Sequence, residues 1–499
     1  MASSLHLTNS LTRNKEKFEA LNPGYVGMYV CGPTVSGESH LGHARPYITY
    51  DIVNRWLLQS GYKVRYVRNI TDAGHFEEEG REAEDKISKR SVLEKLEPME
   101  LITKYTRLFH WAMGLFNCLE PSIEPTATGH IVEQIEMIKQ IMEKGYAYES
   151  NGSVYFDVQK FAEQYKYGEL SGRVIEELLE TTRELEGQNE KKNKTDFALW
   201  KAAPPEHLQR WASPWGEGFP GWHIECSAMS CKYLGKQFDI HGGGMDLLFP
   251  HHESEIAQST IANGEAPVKY WMHNNMITIE GKKMGKSYNN VIKLTELFSG
   301  NHPLLEQAYH PMVVRFYILQ TQYRSTLDFS NSALQAAEKG YVRLWQAYET
   351  STKLTFEASK ASAIDEAVVG KIVQLCNDCT DDMNDDFNTA KVIASLFELG
   401  SIVHSLKEGH IKFSQIDEAT FKLLQTTMHT FVVEVLGLTA MQVQNNSKLE
   451  GVVNLLIDMR KQAKQRKDFA TSDAIRNDLL AIGIQLKDEK DGNVSFTVN

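Results

Sequence analysis

The stretch Met28–Tyr47, MYVCGPTVSGESHLGHARPY, constrains the fold more than any other part of the chain. The apolar run Tyr25–Val30 has the pattern of a short buried strand, and the Cys-Gly-Pro sequence that follows it ends that strand. After a polar loop, the sequence HLGH at 40–43 begins a pattern typical of a helix that extends to about Gly61. A strand, a Gly/Pro turn and a helix N-terminus form the local geometry of a nucleotide site in an open α/β sheet.

The residues of HLGH suit the binding of a phosphate chain. Backbone N–H groups at a helix start are unpaired, and the helix dipole favours anions there. His40 and His43 are three residues apart and can present donors from one helical face, while Gly42 leaves room for a flat base against the backbone. The alternative interpretation is a helix start with two solvated histidines, and HLGH alone does not decide between the two.

A second motif, KMGKS at 283–287, lies far downstream. HLGH and KMGKS together resemble the HIGH and KMSKS signatures of class I aminoacyl-tRNA synthetases. The segments MYVCGPTV, VRNITD, GWHIECSAM and HGGGMDLLFPHHESEIAQS resemble those of the cysteinyl-tRNA synthetase family, and the similarity extends over nearly the whole chain. Two features depart from the common family pattern. Gly285 replaces the usual central serine, and the acidic stretch AGHFEEEGREAEDKI follows Asp72.

The resemblance implies an α/β fold with several domains. A Rossmann-like parallel-sheet catalytic domain with a connective insertion should be followed by an α-helical bundle anticodon-binding domain and a small C-terminal α+β piece. The predicted segments are the first half of the catalytic domain at 1–120, the insertion at 121–200, the second half with the metal ligands and KMGKS at 201–290, a bridging, stem-contact region at 291–345, the bundle at 346–445 and the anticodon-binding segment at 446–499.

Composition excludes some classes of protein. The 499 residues are 42% hydrophobic and 24% charged, as in ordinary globular proteins, and no apolar run reaches the length of a membrane span. The N-terminus lacks an apolar signal region, so we expect a cytoplasmic protein that is not associated with a membrane. The net charge of −12 does not by itself indicate nucleic-acid binding, so any basic binding surface must be local.

Four residues together predict a metal site. His251 and Glu255 are four residues apart, so on a helix they share a face and can hold one ion. Cys31 ends the first strand and Cys226 follows the strand-like GWHIE, where strand ends and helix starts would meet above one sheet. Two thiolates, an imidazole and a carboxylate make a tetrahedral zinc set. The alternative is two buried thiols and a solvated helix face.

Two neighbouring residues compete with this set. Cys231 follows Cys226 closely, and Cys226 is preferred because it matches the family's position. His252 is adjacent to His251, and adjacent helical residues point about 100° apart, so only His251 shares the face of Glu255. The resemblance implies one zinc ion per chain that binds the thiolate of the substrate. Metal chemistry would then separate cysteine from serine without an editing domain.

The resemblance also implies a two-step reaction. L-cysteine reacts with ATP, with Mg²⁺ expected, to give cysteinyl-adenylate, and the cysteine then passes to the 3′ end of tRNA(Cys). The residues implied for catalysis are His40, His43, Lys283 and Lys286, those for ATP are Gly32, His40, Gly42, His43 and Lys286, and those for the substrate pocket are Thr71, Trp222, His241 and Asp246. Without the family context, KMGKS would be a solvated basic loop, and Trp222 and His241 would be ordinary core residues.

The C-terminal tail carries a locally basic stretch between 460 and 476. Cations can bind phosphates, an aromatic ring can stack on bases and a carboxylate can read base edges. The residues that the resemblance assigns to the tRNA anticodon are Arg460, Lys464, Arg466, Phe469 and Asp473. The alternative is an ordinary solvated helix with a run of charges.

Two other functions share part of this pattern. A cysteine:amino-sugar ligase would use the same adenylate with an amine acceptor, but it needs neither the helical bundle nor the basic tail. A non-catalytic RNA-binding paralogue would bind RNA without forming the adenylate, and the intact motifs argue against it. The expected partners are therefore tRNA(Cys), L-cysteine and ATP, and we expect a monomer.

Overall fold

The computed structural model describes residues 4–74, 86–174, 190–205, 207–285, 288–357, 364–441, 447–466, 468–488 and 494–498. Most of the acidic stretch after Asp72 and the motif residues Lys286 and Ser287 lie outside these ranges. The chain divides into two compact units, Met1–Thr439 and Ala440–Asn499. Within the described ranges, no helix combines the length and apolarity that a membrane crossing requires.

A four-stranded parallel sheet positions the site in the first unit. In spatial order its strands are Val268–Asn274, Phe238–Gly244, Tyr25–Val30 and Lys63–Arg68. All three pairings are parallel, so the carboxyl ends of the strands lie at one edge, where ligands bind in folds of this type. The predicted strand Tyr25–Val30 is confirmed with the same bounds, as an inner strand of the sheet.

The helix that begins with HLGH, Leu41–Gln59, packs on this sheet with much of its length buried. The Tyr50 hydroxyl accepts the N–H of Gly243 and donates to the carbonyl oxygen of Met272, both at 2.7 Å. A Cβ atom at Gly242 would lie 2.3 Å from the Tyr50 ring, so the glycine allows this close approach. The helix is therefore fixed to the strands Phe238–Gly244 and Val268–Asn274.

The insertion contains a five-stranded antiparallel sheet. Its strands, in spatial order, are Ala147–Ser150, Ser153–Phe156, Phe197–Ala202, Gly216–Pro220 and Trp211–Ser213. The first two strands form an antiparallel hairpin. The sheet continues past the predicted boundary at 200, because Phe197–Ala202 pairs with both the hairpin and Gly216–Pro220. The residue pattern of a strand does not reveal which sheet it joins.

The segment GWHIE, expected to be strand-like, instead begins the helix Trp222–Leu234. Residues 223–230 of this helix are all buried. A helix buried on every side has no polar face, so the periodic signal that would identify it is absent. The other helices near the parallel sheet and the insertion are Lys86–Glu94, Pro98–Leu115, Ile131–Glu143, Val158–Ala162 and Glu253–Asn263.

A small three-stranded sheet carries the start of KMGKS. Its strands are Lys282–Lys283, Ile277–Ile279 and Leu327–Phe329. In the sequence, the helices Leu294–Ser299 and Pro311–Leu319 lie between the strands Lys282–Lys283 and Leu327–Phe329. A separate hairpin at the N-terminal end consists of His6–Asn9 and Asn14–Lys17.

The predicted helical bundle is confirmed, although its first helix begins within the predicted bridging region. Its helices are Asn331–Lys353, Glu366–Asn384, Thr389–Lys407 and Glu418–His429, followed by a π-helical turn at Thr430–Val435. Apolar residues at helical spacing are buried in it, including Leu334, Tyr341 and Leu344.

Buried charges join the HLGH helix to the end of the bundle. The Asp51 carboxylate accepts from Arg55 Nε at 2.8 Å and pairs with Arg315, and all three side chains are buried. The guanidinium of Arg55 also donates to the carbonyl oxygen of Glu434, and that of Arg315 donates to the carbonyl oxygen of Leu436. This ion-pair network is therefore one of the contacts that hold the bundle to the HLGH helix.

The second unit has the expected small α+β architecture. It consists of the helices Ser447–Gln465 and Phe469–Ala481 and an antiparallel pair of strands, Ile484–Asp488 and Val494–Val498. Its core contains Val453, Ile457, Leu479, Ile484 and Leu486.

Candidate metal and nucleotide site

Four residues predicted as metal ligands meet at the carboxyl edge of the parallel sheet. Cys31 Sγ lies 3.8 Å from Cys226 Sγ and 3.9 Å from Glu255 Oε1, and His251 Nε2 lies 3.1 Å from that same oxygen. The ligand atoms lie within 4.8 Å of one another and all four residues are buried. Two thiols, an imidazole and a carboxyl group at these distances match the donor set of a tetrahedral zinc site.

The four side chains come from separate elements. Cys31 is the first residue after the strand Tyr25–Val30, and Cys226 lies in the helix Trp222–Leu234. His251 lies in a π-helical turn at Leu248–His252, and Glu255 lies in the first turn of the helix that follows. The site therefore links both halves of the catalytic domain, with the insertion between its first and second ligands.

A second group of donors overlaps the first. Cys31 and Glu255 also lie within ligand distance of His241 and His252. His252 Nε2 is 3.3 Å from Cys31 Sγ, and His241 Nε2 is 3.0 Å from Glu255 Oε2. This group holds one thiol, whereas the group with Cys226 holds two, and zinc favours soft thiolate ligands. The chemistry of the donors therefore favours the group that contains Cys226 and His251.

Cys231, the other competitor, lies outside both groups. Its thiol contacts Asn263 Oδ1 at 3.5 Å. All six cysteines are free thiols. Cys376 and Cys379 are buried in the helix Glu366–Asn384, where they pack.

Electrostatics favour the ionised forms of Cys226 and Glu255 within the four-residue group. Burial by itself would raise the pKa of Cys226, but the hydrogen bond with Cys31 and the nearby His251 lower it to about 6. Burial likewise opposes ionisation of Glu255, yet His241 and His251 lower the pKa of this carboxyl to about 2. Burial and the neighbouring Cys226 raise the pKa of Cys31, so binding of a metal there would release a proton.

Two further histidines, which sequence analysis did not identify, contact histidines of the two donor groups. His223 Nδ1 lies 3.0 Å from His251 Nδ1, and His273 Nε2 lies 2.8 Å from His252 Nδ1. Such contacts orient the rings of metal-ligating histidines. The sequence offered one signal for His223: it lies three residues before Cys226.

Two of the predicted pocket residues contact the group formed by Cys31, Cys226, His251 and Glu255, which we call the metal group. The His241 ring bonds to Glu255, and the Trp222 ring lies against that of His251, with 4.4 Å between the centroids. Thr71 donates its hydroxyl to Glu225 Oε2 at 2.9 Å.

Asp246, the fourth predicted pocket residue, is exposed and lies near His40, where its charge partly opposes the effect of burial on the pKa of that histidine. Asp246 is therefore on the HLGH side of the pocket.

Asn69 is a further residue that sequence analysis missed. Its Oδ1 accepts the N–H of Gly32 at 2.8 Å and lies 3.8 Å from Cys226 Sγ. Its Nδ2 donates to the hydroxyl of Thr71 at 3.1 Å. Asn69 therefore connects the turn after Cys31 with Cys226 and Thr71.

Replacing Gly32 by alanine should disturb the metal group. A Cβ atom at this position would lie 1.4 Å from the carbonyl oxygen of Asn69, so the turn that follows Cys31 must move. We expect Gly32→Ala to destabilise the protein by about 1–3 kcal/mol and to weaken zinc retention. Urea unfolding and zinc content measure both effects. Gly114→Ala is the control, because nothing lies within 4 Å of its added Cβ, and equal stability of the two variants would contradict the prediction.

HLGH adopts a defined hydrogen-bonded arrangement. His40 is the N-cap, and its Nδ1 accepts the N–H of Gly42 at 3.1 Å, while His43 Nδ1 accepts the N–H of His40 at 3.2 Å. The two rings stack with their centroids 3.7 Å apart. Burial lowers the pKa of His40 to about 4 and that of His43 to about 3, so both rings are neutral at pH 7. Because each Nδ1 accepts, each Nε2 carries the hydrogen and is a donor.

The described part of KMGKS lies next to HLGH. A Cβ atom at Gly42 would be 3.9 Å from Met284 Cε. The N–H of Gly285 donates to Asn290 Oδ1 at 2.9 Å, and Asn290 Nδ2 donates to the carbonyl oxygen of Lys283 at 3.2 Å. Lys286 lies outside the described residues, so its role stays a prediction.

The residues assigned to the anticodon do not all share one exposed surface of the second unit. Lys464, Arg466, Phe469 and Asp473 are exposed, and Phe469 is 62% exposed. Arg460, by contrast, is only 2% exposed. Ile457 follows Val453 by four residues, and Arg460 follows Ile457 by three. Arg460 therefore lies on the same buried face of its helix as these two core residues. The sequence prediction assigned Arg460 to the same binding surface as Lys464 and Arg466. This assignment is wrong for Arg460, because its side chain is buried.

Comparison with known proteins identifies close relatives of the chain. Residues 17–339 match the family model described as tRNA synthetases class I (C) catalytic domain, and residues 379–440 match the DALR domain. The cysteine–tRNA ligase of Bacteroides thetaiotaomicron is 54% identical over 495 residues and that of Bacteroides fragilis is 55% identical over 496 residues, with 99% of each chain covered. The cysteine–tRNA ligase of Chlorobaculum tepidum is 46% identical, with 98% of each chain covered.

Solved structures show the same fold at low sequence identity. Methionyl-tRNA synthetase of Mycobacterium tuberculosis in complex with methionyl-adenylate has a TM-score of 0.56 at 13% identity. The alignment covers 82% of this chain and 89% of that one. At this identity the likeness concerns the fold alone.

Proposed function

Because the chain belongs to the class I tRNA synthetases and, within them, to the cysteine–tRNA ligases, we propose that it activates L-cysteine with ATP and transfers the cysteine to the 3′ end of tRNA(Cys). The observation that carries the proposal is the buried group of two thiols, an imidazole and a carboxylate beside the HLGH helix. This group can recognise a thiol, and the HLGH helix beside it can bind a nucleotide.

Cys31, Cys226, His251 and Glu255 hold one zinc ion in this proposal. The bound ion supplies a preference for a thiolate over an alcohol, which shape alone discriminates poorly. The burial of all four donors supports the assignment, because a dry site strengthens electrostatic interactions.

The pocket around the metal group holds the rest of the amino acid. Trp222 and His241 form its walls, Thr71 lies at the strand end, and Asp246 lies on its nucleotide side. The hydrogen bond from Thr71 to Glu225 and the contact between Asn69 and Cys226 support this arrangement, since they fix the threonine relative to a ligand.

The neutral histidines of HLGH stabilise the charge that develops on the α-phosphate of ATP during adenylate formation. His40 and His43 donate from Nε2, an inference supported by the hydrogen bonds that occupy each Nδ1. Lys283 and Lys286 neutralise the β- and γ-phosphates, with Mg²⁺ expected on the nucleotide. Gly32 and Gly42 allow the nucleotide to approach the backbone closely.

The second unit contacts the anticodon in this proposal. The exposed cations Lys464 and Arg466 bind phosphates, Phe469 stacks on a base, and Asp473 accepts from base edges. Arg460 is left out because its side chain is buried. The exposure of the Phe469 ring supports the assignment, since a ring that stacks on a base must be accessible.

Removal of zinc tests the proposal most directly. ATP–pyrophosphate exchange should occur with cysteine and not with serine, and it should fall by about 10²-fold or more after zinc is stripped, because the thiolate loses its ligand. Addition of zinc should restore it. Transfer to tRNA(Cys), with an amino sugar as the competing acceptor, then identifies the second step. Folded, zinc-loaded protein that binds tRNA without any exchange would contradict the proposal and favour a non-catalytic RNA-binding protein.

A further inference from the structure

Arg45, two residues after HLGH, makes an unusual set of contacts. Its side chain is buried, with 1% of the residue exposed. The guanidinium donates to the carbonyl oxygens of Met276 at 2.8 Å, Tyr323 at 3.3 Å and Gln322 at 3.4 Å, and also to that of Ser325. Burial lowers the pKa of Arg45 to about 10, so the group stays charged at pH 7. Main-chain dipoles therefore stabilise a buried cation.

These carbonyl groups belong to the small sheet that carries KMGKS. Met276 directly precedes the strand Ile277–Ile279, which pairs with Lys282–Lys283 on one side and with Leu327–Phe329 on the other. The segment 322–325 leads into that last strand. Arg45 thus holds two adjacent strands of the sheet at their starting ends, and one of them, Ile277–Ile279, pairs with the strand that carries Lys283.

The chain beyond KMGKS is also fixed to HLGH, but through the backbone. The N–H of Leu41 donates to the carbonyl oxygen of Ile292, and the N–H of Leu294 donates to that of Ser39, both at 2.9 Å. Both ends of the KMGKS loop are therefore tied to the start of one helix. Of these two connections, the one through Arg45 depends on a side chain and can be changed by mutation.

We propose that Arg45 is a positioning residue for adenylate formation, which sets the distance between HLGH and KMGKS so that one ATP molecule contacts both. This inference rests on the proposed function. The planar guanidinium reaches several acceptors at once, whereas the compact ammonium of lysine does not. Without the guanidinium the KMGKS sheet can shift relative to the helix, and a displacement of about 1 Å can cost up to about 10²-fold in rate.

Arg45→Lys tests the inference. We expect the KM for ATP in pyrophosphate exchange to rise about 10-fold and kcat to fall by about 10-fold. The reason is that Lys283 would no longer lie correctly over the phosphates. Zinc content and the KM for cysteine should stay within about twofold of the wild type, since the metal group makes no use of Arg45.

Arg55→Lys is the matched control. Arg55 is a buried arginine of the same helix, but its partners are Asp51 and the carbonyl oxygens of Asn117 and Glu434. This variant should lose thermal stability and keep the wild-type KM for ATP. Equal changes in the kinetic constants of both variants, or an unchanged KM and kcat in folded Arg45→Lys, would overturn the inference. Absence of exchange in the wild type would instead refute the proposed function.

Hydrogen exchange of the wild type gives a test that does not depend on a variant. A non-hydrolysable ATP analogue should protect amides of Ile277–Ile279 and Leu327–Phe329 together with those at the start of the HLGH helix. Protection confined to the helix would mean that the sheet and helix respond separately to the nucleotide, and would overturn the inference even if Arg45→Lys does not fold.

Discussion

Replacing Cys226 by serine is expected to remove zinc from the protein and to reduce cysteine-dependent ATP–pyrophosphate exchange by about 10²-fold or more. Cys226 supplies one of the two thiols of the metal group, and a serine hydroxyl does not ionise to form a comparable soft ligand. The two side chains are similar in size, so the helix Trp222–Leu234 should keep its packing. Zinc analysis and exchange kinetics measure the two effects.

Cys231→Ser is the matched control for this prediction. Both cysteines lie on the same helix, but the Cys231 thiol contacts Asn263 and not the metal group. This variant should retain both zinc and exchange. If Cys231→Ser lost zinc while Cys226→Ser kept it, the assignment of the ligands would be wrong.

Replacing Asp51 by alanine should cost about 3–5 kcal/mol in the free energy of unfolding. The carboxylate is 1% exposed and pairs with both Arg55 and Arg315. It also accepts the N–H of Leu119 at 2.7 Å. Its removal leaves two buried guanidinium groups without their common counter-charge, which is costlier than removing a whole pair. The urea concentration at the midpoint of unfolding measures the loss.

An exposed ion pair provides the comparison for Asp51. Glu349 and Lys353 are four residues apart in the helix Asn331–Lys353, with side chains 47% and 77% exposed. Removal of Glu349 by Glu349→Ala should change stability by less than about 1 kcal/mol, because solvent screens such a pair. A loss for Asp51→Ala as small as that for Glu349→Ala would show that the network does not hold the bundle to the HLGH helix.

Local patterns in the sequence predicted much of the catalytic domain. The strand Tyr25–Val30 was predictable because an apolar run ends at a Cys-Gly-Pro break, and the start of the HLGH helix because two histidines flank a glycine after a polar loop. The family resemblance then supplied the choice of Cys226 as a ligand. These features depend on residues close together in the chain or on a known motif.

Features that depend on pairing between distant residues were not predictable in this way. The end of the insertion at Pro220 depends on the partner of the strand Phe197–Ala202, and the strand's own residues do not specify that partner. The burial of Arg460 depends on which helix face packs in a small core. The acceptors of Arg45 are carbonyl groups, which are the same in every residue and so leave no trace in the sequence.

The spread of the metal group along the chain has a consequence for biosynthesis. Cys31 and Glu255 are 224 positions apart, so no ion can be held by all four side chains until most of the catalytic domain has left the ribosome. At about 5–20 residues per second, this interval lasts on the order of 10–45 s. In the proposed zinc-binding form, completion of the metal site would therefore be a late event that follows synthesis of the whole insertion.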